Sequence, residues 1–410
     1  MLKPISKQLI EFIKTYISPS IKCPNIKFSD TSKKMLSNIF EDIIQGEKVF
    51  DKTDIQDNWI DFEENKNDKI PKGFDYEYSP EIARNEIERM PKYGCIYNFV
   101  LNNRNIQVTM IMPRTDKISA NQCHEKVKRI FIWLFVATKY SSKECSRNLN
   151  IFIYLTTLKK NLPSQSKQIN QENANTGFTT TCSSTSEIHI FRDEEWFKVL
   201  IHETFHNLGL DFSGIENKTI NQCIYSIFPI KTEEKYFETY CEMWAEIINV
   251  MFVSFVSSKN KKIENLITKT SELLNIEREF SMFQCVKVLH FFGMTYRDLY
   301  EKTPNAVHAR MYKYKESTPI FSYFILKSIM MFYVDEYIEW CALHNHWSLN
   351  FDKGEKPNNL KEYCRFVREH YKNVEFLYNI DTIEKHFFKN KSTSKRDIME
   401  TLRMTVFEMQ

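Results

Sequence analysis

The pentapeptide His202-Glu203-Thr204-Phe205-His206, set inside FKVLIHETFHNLGLDF, constrains this chain more than any other stretch. Four residues make about one helical turn, so the two imidazoles fall on one face of a helix. Two neutral imidazoles at that spacing can hold Zn²⁺, and Glu203 then points at the position left for a water. Zinc lowers the pKa of such a water to about 7, and Glu203 is expected to take its proton as general base. The context agrees. Trp196, Val199, Leu200, Phe205 and Leu208 form one apolar helical stripe. Arg192-Asp193-Glu194-Glu195 puts acid where the helix dipole favours it, and Gly209 stands where a C′ residue would. An amphipathic helix with a defined start and stop is predicted.

A third protein ligand is needed, and YFETYCEMWAEIINVMF offers Glu238, Glu242 and Glu246 at successive four-residue steps. Phe237, Tyr240, Cys241, Trp244, Ile247, Ile248 and Val250 wrap most of that helix. A row of carboxylates on a mostly buried helix requires partners, and a metal with its imidazoles would supply them. Together these motifs resemble the zincin metallopeptidases of the gluzincin type, which carry H-E-x-x-H on one helix and a Glu ligand on a later one. The resemblance covers about residues 95–257. It implies that His202, His206 and Glu242 bind zinc, with Glu246 as the acid that braces a ligand histidine. The pair Glu238 and Glu242, one turn earlier, is the second choice. The metzincin pattern fails, because its third ligand would fall at Phe212; Asp211 is one residue early and stands as a weaker alternative.

The chain has 410 residues, enough for one large core or two moderate ones, and a formal charge of +3 despite 27% charged residues. That balance argues against a dedicated nucleic-acid binder. Richness in Lys, Asn, Ile and Phe fits an AT-rich genome, such as that of a large DNA virus or an AT-rich protist. Ten Cys are scattered without a C-x-x-C pair, and the N-terminus has no uninterrupted apolar run. Reduced thiols in an intracellular, soluble protein are therefore expected, with a virion as an alternative location. No membrane span is predicted, since the apolar stretches 247–256 and 321–334 are too short or interrupted by Lys327.

Three segments are expected. Residues 1–92 are read as a helical extension, with helices near 5–17 and 31–45 followed by an irregular linker or lid over 46–92. Residues 93–230 are read as an α+β lobe. In it Cys95–Leu101 and Ile106–Met112 form a hairpin, a helix lies in 119–139, and strands lie at Asn150–Thr157, Asn175–Thr181 and Ile188–Phe191. The metal helix follows. Asn175–Thr180 is the candidate edge strand for adding a peptide, with an ordinary hairpin arm as the equal alternative. Residues 231–410 are read as a helical lobe, with helices at 233–257, 260–275, 278–292, 318–341, 359–371 and 381–388, and a last short helix after the polar stretch KNKSTSKRD. The fold class expected is α+β, a zincin-like sheet-and-helix lobe followed by a helical lobe.

An oxyanion donor is expected from the C-terminal lobe. His290, His308, Tyr312 and Tyr323 are candidates, and Tyr323 is favoured because Pro319 starts its helix. His189 lines the cleft or faces water; His344 and His346 belong to a surface loop. The function expected is a Zn²⁺-dependent peptidase acting on a peptide or protein substrate, with Glu203 and Tyr323 as catalytic groups. The alternative is an inactive zincin-fold structural or assembly protein, such as a virion component, that still binds zinc.

Overall fold

The computed structural model describes residues 1–61, 78–90, 92–113, 119–164, 166–354, 358–389 and 396–410. In chain order the elements are α1 (Pro4–Phe12), α2 (Asp30–Phe50), β1 (Gln56–Asp61), α3 (Glu81–Arg89), β2 (Lys92–Leu101), β3 (Arg104–Pro113), α4 (Ala120–Ala137), β4 (Asn148–Tyr154), α5 (Gln171–Ala174), β5 (Gly177–Thr179) and β6 (Thr185–Ile190). Then follow α6 (Trp196–Asn207), α7 (Lys218–Ile227), α8 (Phe237–Ser257), α9 (Ile263–Phe291), α10 (Pro304–Tyr312), α11 (Lys327–Phe332), α12 (Val334–His344), α13 (Asn359–His370), α14 (Val374–Lys389) and α15 (Arg396–Glu400). The chain is α+β, as expected, with helix predominating. Local signals set several boundaries. Ser29 caps α2, and Ser119 with Gln122 makes a reciprocal capping box on α4. Asn102 and Asn103 both take positive φ in the two-residue β2–β3 hairpin, where asparagine tolerates the left-handed region.

One six-stranded sheet runs in the order β1-β2-β3-β4-β6-β5. β2 pairs antiparallel with both β1 and β3, β3, β4 and β6 are parallel, and β5 returns antiparallel to β6 at the edge. α6 packs against β5 and β6 on one side and against α8 on the other. α2 packs against α4, α9 and α12, so the largest apolar cluster draws on all three predicted segments.

Several expectations are corrected. Residues 46–92 are not an irregular linker in their described parts: α2 runs on to Phe50, β1 joins the sheet, and α3 follows. β1 reads poorly because Gln56, Asp57 and Asn58 are exposed and polar, and only pairing with β2 holds them extended. The acidic stretch Asp61-Phe62-Glu63-Glu64 in this segment lies, from 62 onward, outside the described residues. The helices expected at 260–275 and 278–292 are one continuous helix, α9. That expected at 318–341 is broken into a π-helical turn, Phe321–Leu326, then α11 and α12. α7, α10 and α14 are longer than anything read from those stretches. The expectation of reduced thiols also fails for four cysteines, which pair as Cys145–Cys182 and Cys223–Cys364. These pairs close loops of 37 and 141 residues, and no spacing rule connects cysteines so far apart. No described helix is long and apolar enough to cross a membrane.

The last residues are not helical. Beyond α15 the chain runs extended through the interior, and residues 401–409 are all buried. Buried charges at the start of α6 hold this strap. Glu195 accepts from the N–H groups of Met404 and Thr405, and Glu194 pairs with Arg403. Further along, Glu277 accepts from the N–H groups of Val406 and Phe407, and Lys3 pairs with Glu408. Burial would raise the Glu195 carboxyl, but Lys160, Arg403 and Lys198 hold it down at about 2. Removing one partner of such a buried pair typically costs about 3–5 kcal/mol. Glu195→Gln is therefore expected to lower unfolding stability by about 3 kcal/mol, measured by denaturant titration at neutral pH. A depressed carboxyl stabilises above its unfolded value of about 4.5, and this contribution is lost as pH falls from there toward 2. The difference between wild type and variant should shrink across that window; a gap that stays constant would contradict this role of Glu195.

Candidate metal centre

α6 is more deeply placed than its pattern suggests. Apart from His206, every residue from Trp196 to Asn207 is buried, so it is a central helix rather than an amphipathic surface one. The acids before it do not serve the dipole; Glu194 and Glu195 tether the C-terminal strap. Its end follows the sequence reading. Gly209 has φ +65°, its N–H bonds His206 O, and the Leu210 N–H bonds Phe205 O, which is a Schellman motif. This tight turn brings Asp211 back beside the ring it has just passed: the Asp211 carboxylate accepts from His206 Nδ1.

α6 and α8 pack antiparallel. Phe197 meets Phe252 near one end of the contact, and Phe205 meets Tyr240 near the other. At the level of the two histidines α8 presents Glu238 and, one turn on, Glu242. Glu238 Oε2 lies 2.9 Å from His202 Nε2 and 3.3 Å from His206 Nε2, and the two Nε2 atoms are 3.2 Å apart. Behind the rings, Glu242 Oε2 is 3.2 Å from His202 Nδ1, and Asp211 contacts His206 Nδ1. A carboxylate only accepts, so a neutral ring that donates from Nδ1 to Glu242 or Asp211 turns a bare Nε2 lone pair toward Glu238, and a protonated ring donates from both nitrogens. With the Nδ1 hydrogens in place, three donor atoms converge in an arrangement able to hold a cation, which is a proton or a metal ion. Around a tetrahedral zinc with ligands at about 2.0–2.1 Å, neighbouring donor atoms are separated by about 3.3 Å, so the cluster has suitable dimensions. Burial opposes charge on both rings, yet Glu238 and Glu242 raise His202, and Cys241, Glu238 and Asp211 raise His206 well above its usual value. In the absence of a metal the cluster would take up a proton.

Two of the acids lie one helical turn from where the sequence reading puts them relative to the rings. Glu242, expected as the ligand, lies on the Nδ1 side of His202 and binds the ammoniums of Lys198 and Lys327. Glu246, expected as the brace, pairs with Lys327 at 3.2 Å instead. Glu238, the second choice, joins both Nε2 atoms. The physical reason is Lys198, one turn before His202 on the same face, which meets the acid that the antiparallel register places opposite. That lysine was the signal available in the sequence. The strap and Lys327 were not legible, since Lys327 interrupts an apolar run and its carbonyl partner, Met404 O at 2.6 Å, comes from the far end of the chain.

Glu203, on α6, lines a narrow cleft with His202, Glu242 and Tyr323. A Cβ on Gly177 would stand 3.2 Å from Glu203 Cγ and 2.8 Å from His189 O, so the edge strand β5 approaches Glu203 closely and only glycine fits there. Burial pushes the Glu203 carboxyl above its usual range. Tyr323, on the π-helical turn, sends its hydroxyl to within 3.3 Å of Glu238 Oε2. The other donor candidates, His290, His308 and Tyr312, do not line this cleft. His189 is a core residue stacked between Phe152 and Phe178, with Glu187 at 2.9 Å from Nε2. His344 stacks on Trp340 and His346 is exposed, away from the centre. Protein-family models, curated proteins and solved structures give no match to this chain.

The geometry sets an order of metal affinities. His202→Ala, His206→Ala and Glu238→Gln are each expected to abolish tight zinc binding, while Glu242→Gln should weaken it about 10- to 100-fold, as for an acid behind a ligand. Zinc competition with a chromophoric chelator measures this. Loss on Glu242→Gln with full retention on Glu238→Gln would reverse the assignment.

Proposed function

We propose that this protein is a zinc-dependent peptidase of the gluzincin type. His202, His206 and Glu238 hold the ion, while Glu242 and Asp211 orient the rings. The observation that carries the reading is the convergence of three potential ligand atoms, from His202, His206 and Glu238, beside Glu203, a carboxylate outside that cluster. A bound zinc would supply Lewis-acid activation of water and of the scissile carbonyl. The Glu203 carboxylate takes the proton of the attacking water and passes it to the leaving amine. Its raised pKa strengthens it as a base. Tyr323 is the candidate donor to the oxyanion, a role in which its hydroxyl exchanges Glu238 for the developing charge.

The edge of the sheet supports a peptide as substrate. Thr176 O accepts from Phe191 N and Thr180 N donates to Glu187 O, so residues 176, 178 and 180 bond inward to β6. By the alternation of an antiparallel pair, the N–H and C=O groups of Gly177 and Thr179 face outward, free to pair with an added strand. In this reading the sheet and α6 form the upper half of a zincin site and α8 the lower half. A second reading, an inactive zincin-fold assembly protein that binds zinc, is favoured by the narrowness of the cleft. Its volume of about 30 Å³ holds only about two waters, so a peptide enters only after some opening.

Glu203→Gln separates the two. Wild type incubated with a proteome-derived peptide library is expected to cleave, as read by mass spectrometry, and the variant is expected to keep zinc and fold while losing cleavage by about 10³-fold or more, since both proton transfers are lost. Cleavage that the variant matches would place the activity elsewhere. Zinc binding with no cleavage by either would favour the assembly protein.

A further inference from the structure

The cleft beside Glu203 has a far end made of hydrogen-bond donors. Lys160, Lys198, Thr176, Val199 and Met404 form it. Lys160 is only 1% exposed, and its ammonium meets Glu195 Oε2 at 2.8 Å. An ammonium has three N–H groups, so one acceptor leaves donors over. Thr176 is 2% exposed, and its Oγ1 has no hydrogen-bond partner. The Lys198 ammonium binds Glu242 and reaches Met404 Sδ at 3.7 Å, a weak acceptor. These walls are fixed. Met404 is held through its N–H by Glu195 at 2.8 Å and through its carbonyl by Lys327 at 2.6 Å, and the ladder to β6 fixes Thr176.

Donors left over at the buried end of a cavity call for an acceptor, and although Glu195 and Glu242 balance the two ammoniums, an ammonium N–H binds a charged acceptor more strongly than a neutral one. The space limits its size. The whole cleft, Glu203 and Tyr323 included, has room for about two waters, so an acceptor within it is no bulkier than the two oxygens of a carboxylate. Phosphate and sulfate are bulkier, and an aromatic or long aliphatic side chain does not fit short of displacing Met404. We propose that this end of the cleft is a subsite for a substrate carboxylate, bound by Lys160, Lys198 and the Thr176 hydroxyl, with Met404 as the wall that sets its depth. The carboxylate is either the side chain of an aspartate next to the scissile bond or the C-terminal carboxylate of a short peptide. This inference rests on the peptidase reading for the word substrate, but the binding site itself does not need turnover.

The test is isothermal titration calorimetry on the Glu203→Gln protein, with and without zinc, so that nothing is consumed. Four probes are used: acetyl-Ala-Asp-amide, acetyl-Ala-Asn-amide, acetyl-Ala-Ala as the free acid, and acetyl-Ala-Ala-amide. At least one acid is expected to bind about tenfold or more tighter than its neutral partner, as for a charge-assisted contact. Preference in the first pair identifies a side chain; preference in the second identifies the chain end. Thr176→Val keeps the shape and should reduce the preference several-fold, and Lys160→Gln should remove it, with circular dichroism confirming the fold of each. Met404→Ala should extend binding to acetyl-Ala-Glu-amide. Equal binding of acids and neutral partners, or no binding of any probe, overturns the subsite and means that water alone fills it. Acid-selective binding by a protein whose wild type cleaves nothing would keep the subsite and sink the peptidase reading. Cleavage without acid preference would do the reverse.

Discussion

Buried charge is the constraint on which the interior of this protein depends. Glu194, Glu195, Glu203, Asp211, Glu238, Glu242 and Glu246 are all buried within a short distance of α6. A carboxylate taken out of water needs a cation or several hydrogen bonds to persist. Most of these acids find them within the chain. Glu194 takes Arg403, Glu195 takes Lys160 and two backbone N–H groups, and Glu242 and Glu246 share Lys327, with Lys198 added for Glu242. Glu238 differs. It meets two imidazole nitrogens and a tyrosine hydroxyl, and no lysine or arginine reaches it among the described residues. Asp211, Glu203 and Glu238, the acids of this group without a lysine or arginine partner among the described ion pairs, all lie beside the two histidines.

The same economy of space explains how the backbone builds the site. One helical turn separates each functional level along α6 and α8. Lys198 faces Glu242, then His202 faces Glu242 and Glu238, then His206 faces Glu238. The Schellman turn after α6 folds Asp211 onto the last ring, and the strap of residues 401–409 seals the opposite end with Met404. The fold therefore places charge-neutralising residues on one side of the histidines and leaves the other side to the edge strand β5, where Glu203 and Gly177 lie close together.

Much of this was legible in the sequence, for reasons that can be named. The H-E-x-x-H spacing, the strong β2–β3 hairpin and the C′ glycine are local signals whose physics lies within a few residues. The edge position of β5, with Gly177 against Glu203, also follows the expected order of elements. Three things were not legible. The choice between Glu238 and Glu242 depends on the antiparallel register of two helices, a tertiary fact to which a four-residue repeat of acids is blind. β1 is held by its partner rather than by its own composition. The terminal strap carries no periodicity, and its partners named above lie from 77 residues away, at Lys327, to 405 residues away, at Lys3.

X-ray absorption at the zinc edge of the metal-loaded protein tests the central claim most directly, because a second buried group, His206, Asp211 and Cys241, competes with the assigned one. The assigned cluster gives a shell of nitrogen and oxygen only, at about 2.0–2.1 Å, with the outer-shell scattering of two imidazoles. A sulfur neighbour at about 2.3 Å, or scattering from a single imidazole, would move the metal to Cys241 and contradict the account.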